Sequence, residues 1–86
     1  MLKIQKMTNY SNMKIEINEN QVLEDVTMEL KRIGFYVGFV DAGDVLVTAR
    51  YDTKLIVSFS IDMHLPDECW KLITLAELKN MKCFEY

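Results

Sequence analysis

FYVGFV-DAG-DVLVTARY-DTK-LIVSFSID, running from Phe35 to Asp62, decides the fold. Three segments of alternating apolar residues are separated by the turn clusters Asp41-Ala42-Gly43 and Asp52-Thr53-Lys54, the pattern of half-buried strands joined by tight turns. Which face each strand buries depends on turn length, because a one-residue slip sends every side chain to the opposite side. A three-residue loop with Gly43 in the left-handed conformation sets Phe39 against Val45, Val37 against Val47 and Phe35 against Ala49. The same loop length at the second turn sets Ala49 against Val57, Val47 against Phe59 and Val45 against Ile61. Two-residue loops would instead pair Phe35 with Arg50 and Val37 with Thr48, at about 1–3 kcal/mol per polar group left unpaired in the core layer. The expectation is a three-stranded antiparallel meander whose far face carries Tyr36, Val40, Leu46, Arg50 and Ile56.

Upstream, Asn18 to Ile33 reads as an amphipathic helix. Asn18 suits the N-cap, with Gln21 at the capping-box position and Glu19 in the first turn. Val22, Leu23, Val26, Leu30 and Ile33 form one apolar stripe, with Glu24, Asp25, Glu29 and Arg32 pointing away from it. Lys31 and Arg32 suit the last turn and Gly34 is placed to end it. Met13 to Ile17 alternates as a strand does, and so does Leu2 to Met7, which allows an N-terminal hairpin through Asn9 to Asn12. Downstream, Pro66 fits a first helical position, so Pro66 to about Met81 reads as a second helix. Thr74 and Glu77 offer an alternative, a fresh helix starting midway.

Together these segments predict one α+β domain over residues 1–86, in the order β-α-β-β-β-α, with both helices on one sheet face. Half of the residues are hydrophobic and 27% are charged, as in a globular chain. A chain this short buries only about 60–65% of its unfolded surface, so self-association would be unsurprising. No run of about 18 apolar residues suggests a membrane span, and Lys3 and Lys6 lack the apolar stretch of a signal peptide. The expected location is the cytoplasm, and Met1, Met7 and Met13 are all compatible starts.

No catalytic, cofactor or metal signature stands out. Cys69, Cys83 and His64 are separated by gaps that match no zinc pattern, and the two cysteines read as reduced, buried or half-buried packing residues. His64 is the only histidine from which to build a nucleophilic site, and it reads as a loop residue before the second helix. Asp41 and Asp44 flank a turn, where Asp is common for backbone reasons, and an exposed dyad lacks the raised pKa of acid–base work. Gly34, Gly38 and Gly43 form no phosphate loop.

From Asn18 onward the helix-strand-strand-strand-helix order resembles that of double-stranded-RNA-binding domains and some small messenger-cleaving toxins. Such binding leans on Lys and Arg contacts to phosphate, whereas the net charge is −3 and the second helix opens with Asp67 and Glu68. Direct nucleic-acid binding is therefore not expected. Two surfaces fit a protein partner instead: the acidic helix face of Glu24, Asp25 and Glu29, suited to imitating phosphate, and the back of the sheet, where Tyr36, Leu46 and Ile56 with Arg50 would supply anchors. The expected function is binding to a larger protein, as an inhibitor or antagonist of a host or defence protein. Eight lysines against two arginines, with many Ile and Asn, suit the AT-rich coding of phages and mobile elements. The alternative is a structural subunit that self-assembles through a sheet face or edge.

Overall fold

Alternation at Asn12–Glu16 is realised as the first strand, β1, with Met13 and Ile15 buried and Lys14 on the other side. The computed structural model describes residues 12–66 and 68–84. The expected Leu2–Met7 strand and its hairpin lie outside them. After β1 come helix α1 (Leu23–Ile33), strands β2 (Tyr36–Phe39), β3 (Leu46–Arg50), β4 (Leu55–Phe59) and β5 (Trp70–Leu72), and helix α2 (Leu75–Lys79).

α1 begins four residues later than its capping residues suggest, with Val22 and not Asn18 at the N-cap. The Asn18 carboxamide oxygen accepts from the Asn20 and Gln21 backbone N–H groups at 2.8 and 3.1 Å, and Asn18 and Gln21 exchange backbone bonds, so this side chain closes a turn rather than capping a helix. Gln21 donates to the Glu16 carbonyl and accepts from the Leu75 N–H, tying the end of β1 to the start of α2. The far end of α1 is as expected. Gly34 sits at φ 132° and its N–H reaches the Leu30 and Lys31 carbonyls, a C-cap that a Cβ would strain.

The strands form one mixed five-stranded sheet in the order β2-β4-β3-β1-β5. β3 pairs antiparallel with β1 and β4, while β2 runs parallel to β4 and β5 parallel to β1. The α+β class is as read from the sequence, but the antiparallel meander is not formed. β1 and β2 point the same way and must be joined by a crossover, which α1 supplies. The chain then returns over the end of β4 to enter β3, the Asp41 N–H bonding to Ser58 Oγ and the Val45 N–H to the Phe59 carbonyl. Gly43 does take positive φ, at 92°, but in this bridging loop and not in a hairpin.

The second turn holds four residues, not three. Arg50 faces Leu55 and Ala49 faces Ile56, because Tyr51 leaves the ladder: its N–H bonds to the Asn12 side chain and its ring packs under the Lys54 ammonium, 3.6 Å away. Lys54 closes the turn in the left-handed conformation, at φ 60°. One extra residue reverses the faces of β4. Ile56, expected on the far side, joins the core, and Val57 leaves it.

That core lies between the sheet and the helices. Met13, Ile15, Val47, Ala49 and Ile56 meet Val26, Leu30 and Ile33 of α1, and Phe35, Ile73, Leu75 and Leu78 complete the layer. Each fully buried aliphatic side chain contributes about 1.5–3 kcal/mol. The expected core positions Val37, Phe39, Val45 and Ile61 are exposed. The second helix is reduced to Leu75–Lys79, opened by the full Thr74/Glu77 capping box, so the alternative start is the one used. Residues expected in its first half instead make a turn on the Pro66 carbonyl, which accepts from the Cys69 and Trp70 N–H groups, and then β5.

Candidate functional site

Three of the four β2 residues carry side chains, and none of these side chains is buried. Tyr36 is 64% and Phe39 77% exposed, and Val37 faces solvent as well. Among the described residues β2 is an edge strand, with β4 on one side and no strand on the other. Tyr36 pairs with Leu55, Val37 with Ile56 and Phe39 with Val57, so Gly38 is an extra residue, a bulge. Its consequence is geometric: Phe39 is set on the same face as Tyr36, whereas regular alternation would send them to opposite sides. A Cβ on Gly38 would lie 3.1 Å from the Ile56 carbonyl oxygen, which keeps β2 tight against β4.

The face shared by Tyr36 and Phe39 is the back of the sheet, away from α1. The register places Leu55, Val57 and Phe59 of β4 and Leu46, Thr48 and Arg50 of β3 on it. Its two halves differ. Toward β1 the segment after β4 crosses over: Lys14 Nζ donates to the Leu65 carbonyl at 2.5 Å, and Leu46 beneath is only 1% exposed. Toward β2 the face stays open, and Tyr36, Phe39 and Leu55, itself 40% exposed, make a continuous apolar strip.

Of the residues expected at an interface, the structure keeps Tyr36 and Arg50 exposed on this face. Arg50 is held by Asp52, 2.9 Å away, and the same contact holds the Asp52 carboxyl below the usual carboxylate range, helped by the Thr53 N–H. Leu46 and Ile56 are corrections: both are buried, Leu46 on the covered half of the back face and Ile56 by the reversed register, so neither can anchor a partner. Glu24 and Asp25 are exposed on α1, on the opposite side of the sheet from Tyr36. Glu29 is drawn into an ion pair with Arg32 at 2.7 Å, whose guanidinium also donates to the Leu78 and Met81 carbonyls. Phe39 and Leu55 were missed because their faces follow from a bulge and a turn length. Gly38 inside an apolar strand was the available signal.

The other concave feature is a cleft of about 350 Å³. The β1–β5 pairing sets Lys71 beside Met13 on the helix side of the sheet, and Ile33 and Phe35 close the opposite wall. The C-terminal segment forms the rim, with the Phe84 N–H on the Ile33 carbonyl and its ring edge-on to Phe35 and Tyr51 at 5.2 and 5.5 Å.

Both cysteines are free and exposed, not packed inside: Cys69 lies in the turn before β5 and Cys83 beyond α2. His64 is exposed in the crossing segment. Asp44 accepts from Ser58 Oγ, which anchors the bridging loop. Among the described residues no group of three His, Cys, Asp or Glu side chains is placed to hold a metal, and no helix is long and apolar enough to cross a membrane. No family model, curated protein or solved structure matches this chain.

Proposed function

We propose that this chain is a protein-binding module that acts by occupying a surface on a larger protein, as an inhibitor or antagonist does, and that it docks through β2 and the open half of the sheet's back face. The observation that carries the reading is the strip of Tyr36, Phe39 and Leu55 beside an edge strand that has no charged residue or proline. Edge strands are ordinarily blunted by shortness, lysine or proline. The other edge follows that rule, since β5 has three residues with Lys71 at its centre. β2 does not. An extended segment of a partner can pair with its backbone while aromatic side chains fill pockets on that partner.

Size favours a larger partner over a second copy. Four strand residues fall well short of the roughly 800 Å² per side of a stable interface, and a larger protein reaches beyond them to Leu55 and to exposed Ile61 and Met63 on the segment leaving β4. Pairing of β2 with its own copy is the second reading, because no charge on the strand opposes it.

The test compares proteins retained from host lysate by the tagged wild type, by Tyr36→Lys/Phe39→Lys, and by Glu24→Lys/Asp25→Lys/Glu29→Lys. Loss of a stoichiometric partner in the first variant and retention in the second is the expected result. The reverse pattern would move the site to α1. A mass that doubles with concentration in the wild type alone would replace the larger partner with a second copy.

A further inference from the structure

We infer that the cleft between the β1–β5 edge and the C-terminal segment is a binding site for a small amphiphile with an anionic head. Its shape and its charge lead to the same ligand. The interior is lined by Met13, Ile33, Phe35 and Ile73, a wall suited to a hydrocarbon or an aryl group. At roughly the 30 Å³ that a water molecule takes in the liquid, a space of about 350 Å³ holds about a dozen heavy atoms.

Two cations and one carboxylate line the cleft, a balance that favours an anion. Lys71 and Lys82 line the cleft, and among the described residues no carboxylate pairs with either. The one lining carboxylate, Glu77, is turned to its capping box, where Oε1 accepts from the Thr74 N–H at 2.9 Å and the Thr74 hydroxyl at 3.2 Å. Lys54 is not a lining residue: its ammonium lies over the Tyr51 and Phe84 rings at 3.6 and 4.9 Å and donates to the Tyr51 carbonyl. Lysines whose ammonium groups face solvent above an apolar wall are arranged to hold an anion while its tail is buried. An apolar body with a carboxylate meets both requirements, and a cationic amphiphile meets only one.

The cleft shares no residue with the β2 edge, so either reading can fail without the other. The probe is decanoate, titrated into the full chain below its micelle concentration by calorimetry and by amide chemical shifts, with decanol and decylammonium as controls. The expected result is saturable one-to-one binding with shifts at Ile33, Ile73 and Phe84, at least tenfold weaker for decylammonium. Lys71→Glu/Lys82→Glu, both exposed positions, should weaken decanoate at least tenfold and leave decanol unchanged, with the dispersed amide spectrum confirming that the variant is folded. Absence of saturable binding, equal affinity for the anionic and cationic probes, or indifference to the charge reversal would overturn the inference.

Discussion

The two faces of the sheet carry similar amounts of apolar sequence and have opposite fates. On the helix side Ile15, Val47 and Ile56 are fully buried beneath α1, whose stripe of Val26, Leu30 and Ile33 runs across all three strands. On the back, Leu46 and Thr48 are buried on the half where Lys14 bonds to the segment after β4, while Tyr36, Phe39 and Leu55 stay exposed. Covering both faces would need a second helix after β4, and residues 68–72 make a turn and a strand instead. The lesson is that an exposed apolar strip here is not a weak core. It is the part of the sheet for which the described residues supply no cover, and that is the physical basis for assigning it to a partner.

Substitution at neighbouring positions breaks or sharpens the contrast. Ile56→Ala should be the most damaging, about 2–5 kcal/mol by chemical denaturation, since it opens a cavity at a fully buried site. A near-neutral result would restore the register in which Ile56 faces outward. Gly34→Ala should cost about 1–3 kcal/mol, because φ 132° at the end of α1 is unfavourable for any side chain. Thr74→Ala should cost about 1 kcal/mol through loss of the capping box. Phe39→Ser should change stability by no more than about 0.5 kcal/mol while abolishing partner retention, which separates a docking residue from a core residue. The smallest effect belongs to Asp52→Asn. With its carboxyl held below the usual range by Arg50, Asp52 stabilises the fold above that range and loses the contribution as pH falls through its lowered value. The variant should therefore show a slightly shallower acid limb, with a small deficit at neutral pH that vanishes below the lowered value.

Where the sequence was legible, local signals agreed with one another. The α1 stripe, its Gly34 terminus, the β1 alternation and the Thr74/Glu77 box are each decided within a few residues. Where it was not, the answer depended on distant partners. Phe35 to Phe39 alternates equally well beside β3 or β4, and only the crossover through α1 selects β4. The length of the second turn rests on Tyr51 leaving the ladder for Asn12, Lys54 and Phe84, residues that are far apart in the chain apart from Lys54. Because a single residue of register decides the face, Ile56 was placed outside and Phe39 inside, whereas Leu46 lies on the expected face and is covered there. Tyr36 survived as a candidate because both registers expose it. The resemblance to a helix-strand-strand-strand-helix core lapses with the meander that supported it.

Amide hydrogen–deuterium exchange, read on the chain alone and on the chain bound to the partner it retains from lysate, tests the docking surface most directly. The account predicts new protection across residues 36–39 and 55–59, with α1 unchanged. Protection gathered on residues 23–33, with β2 exchanging as in the free chain, would contradict it.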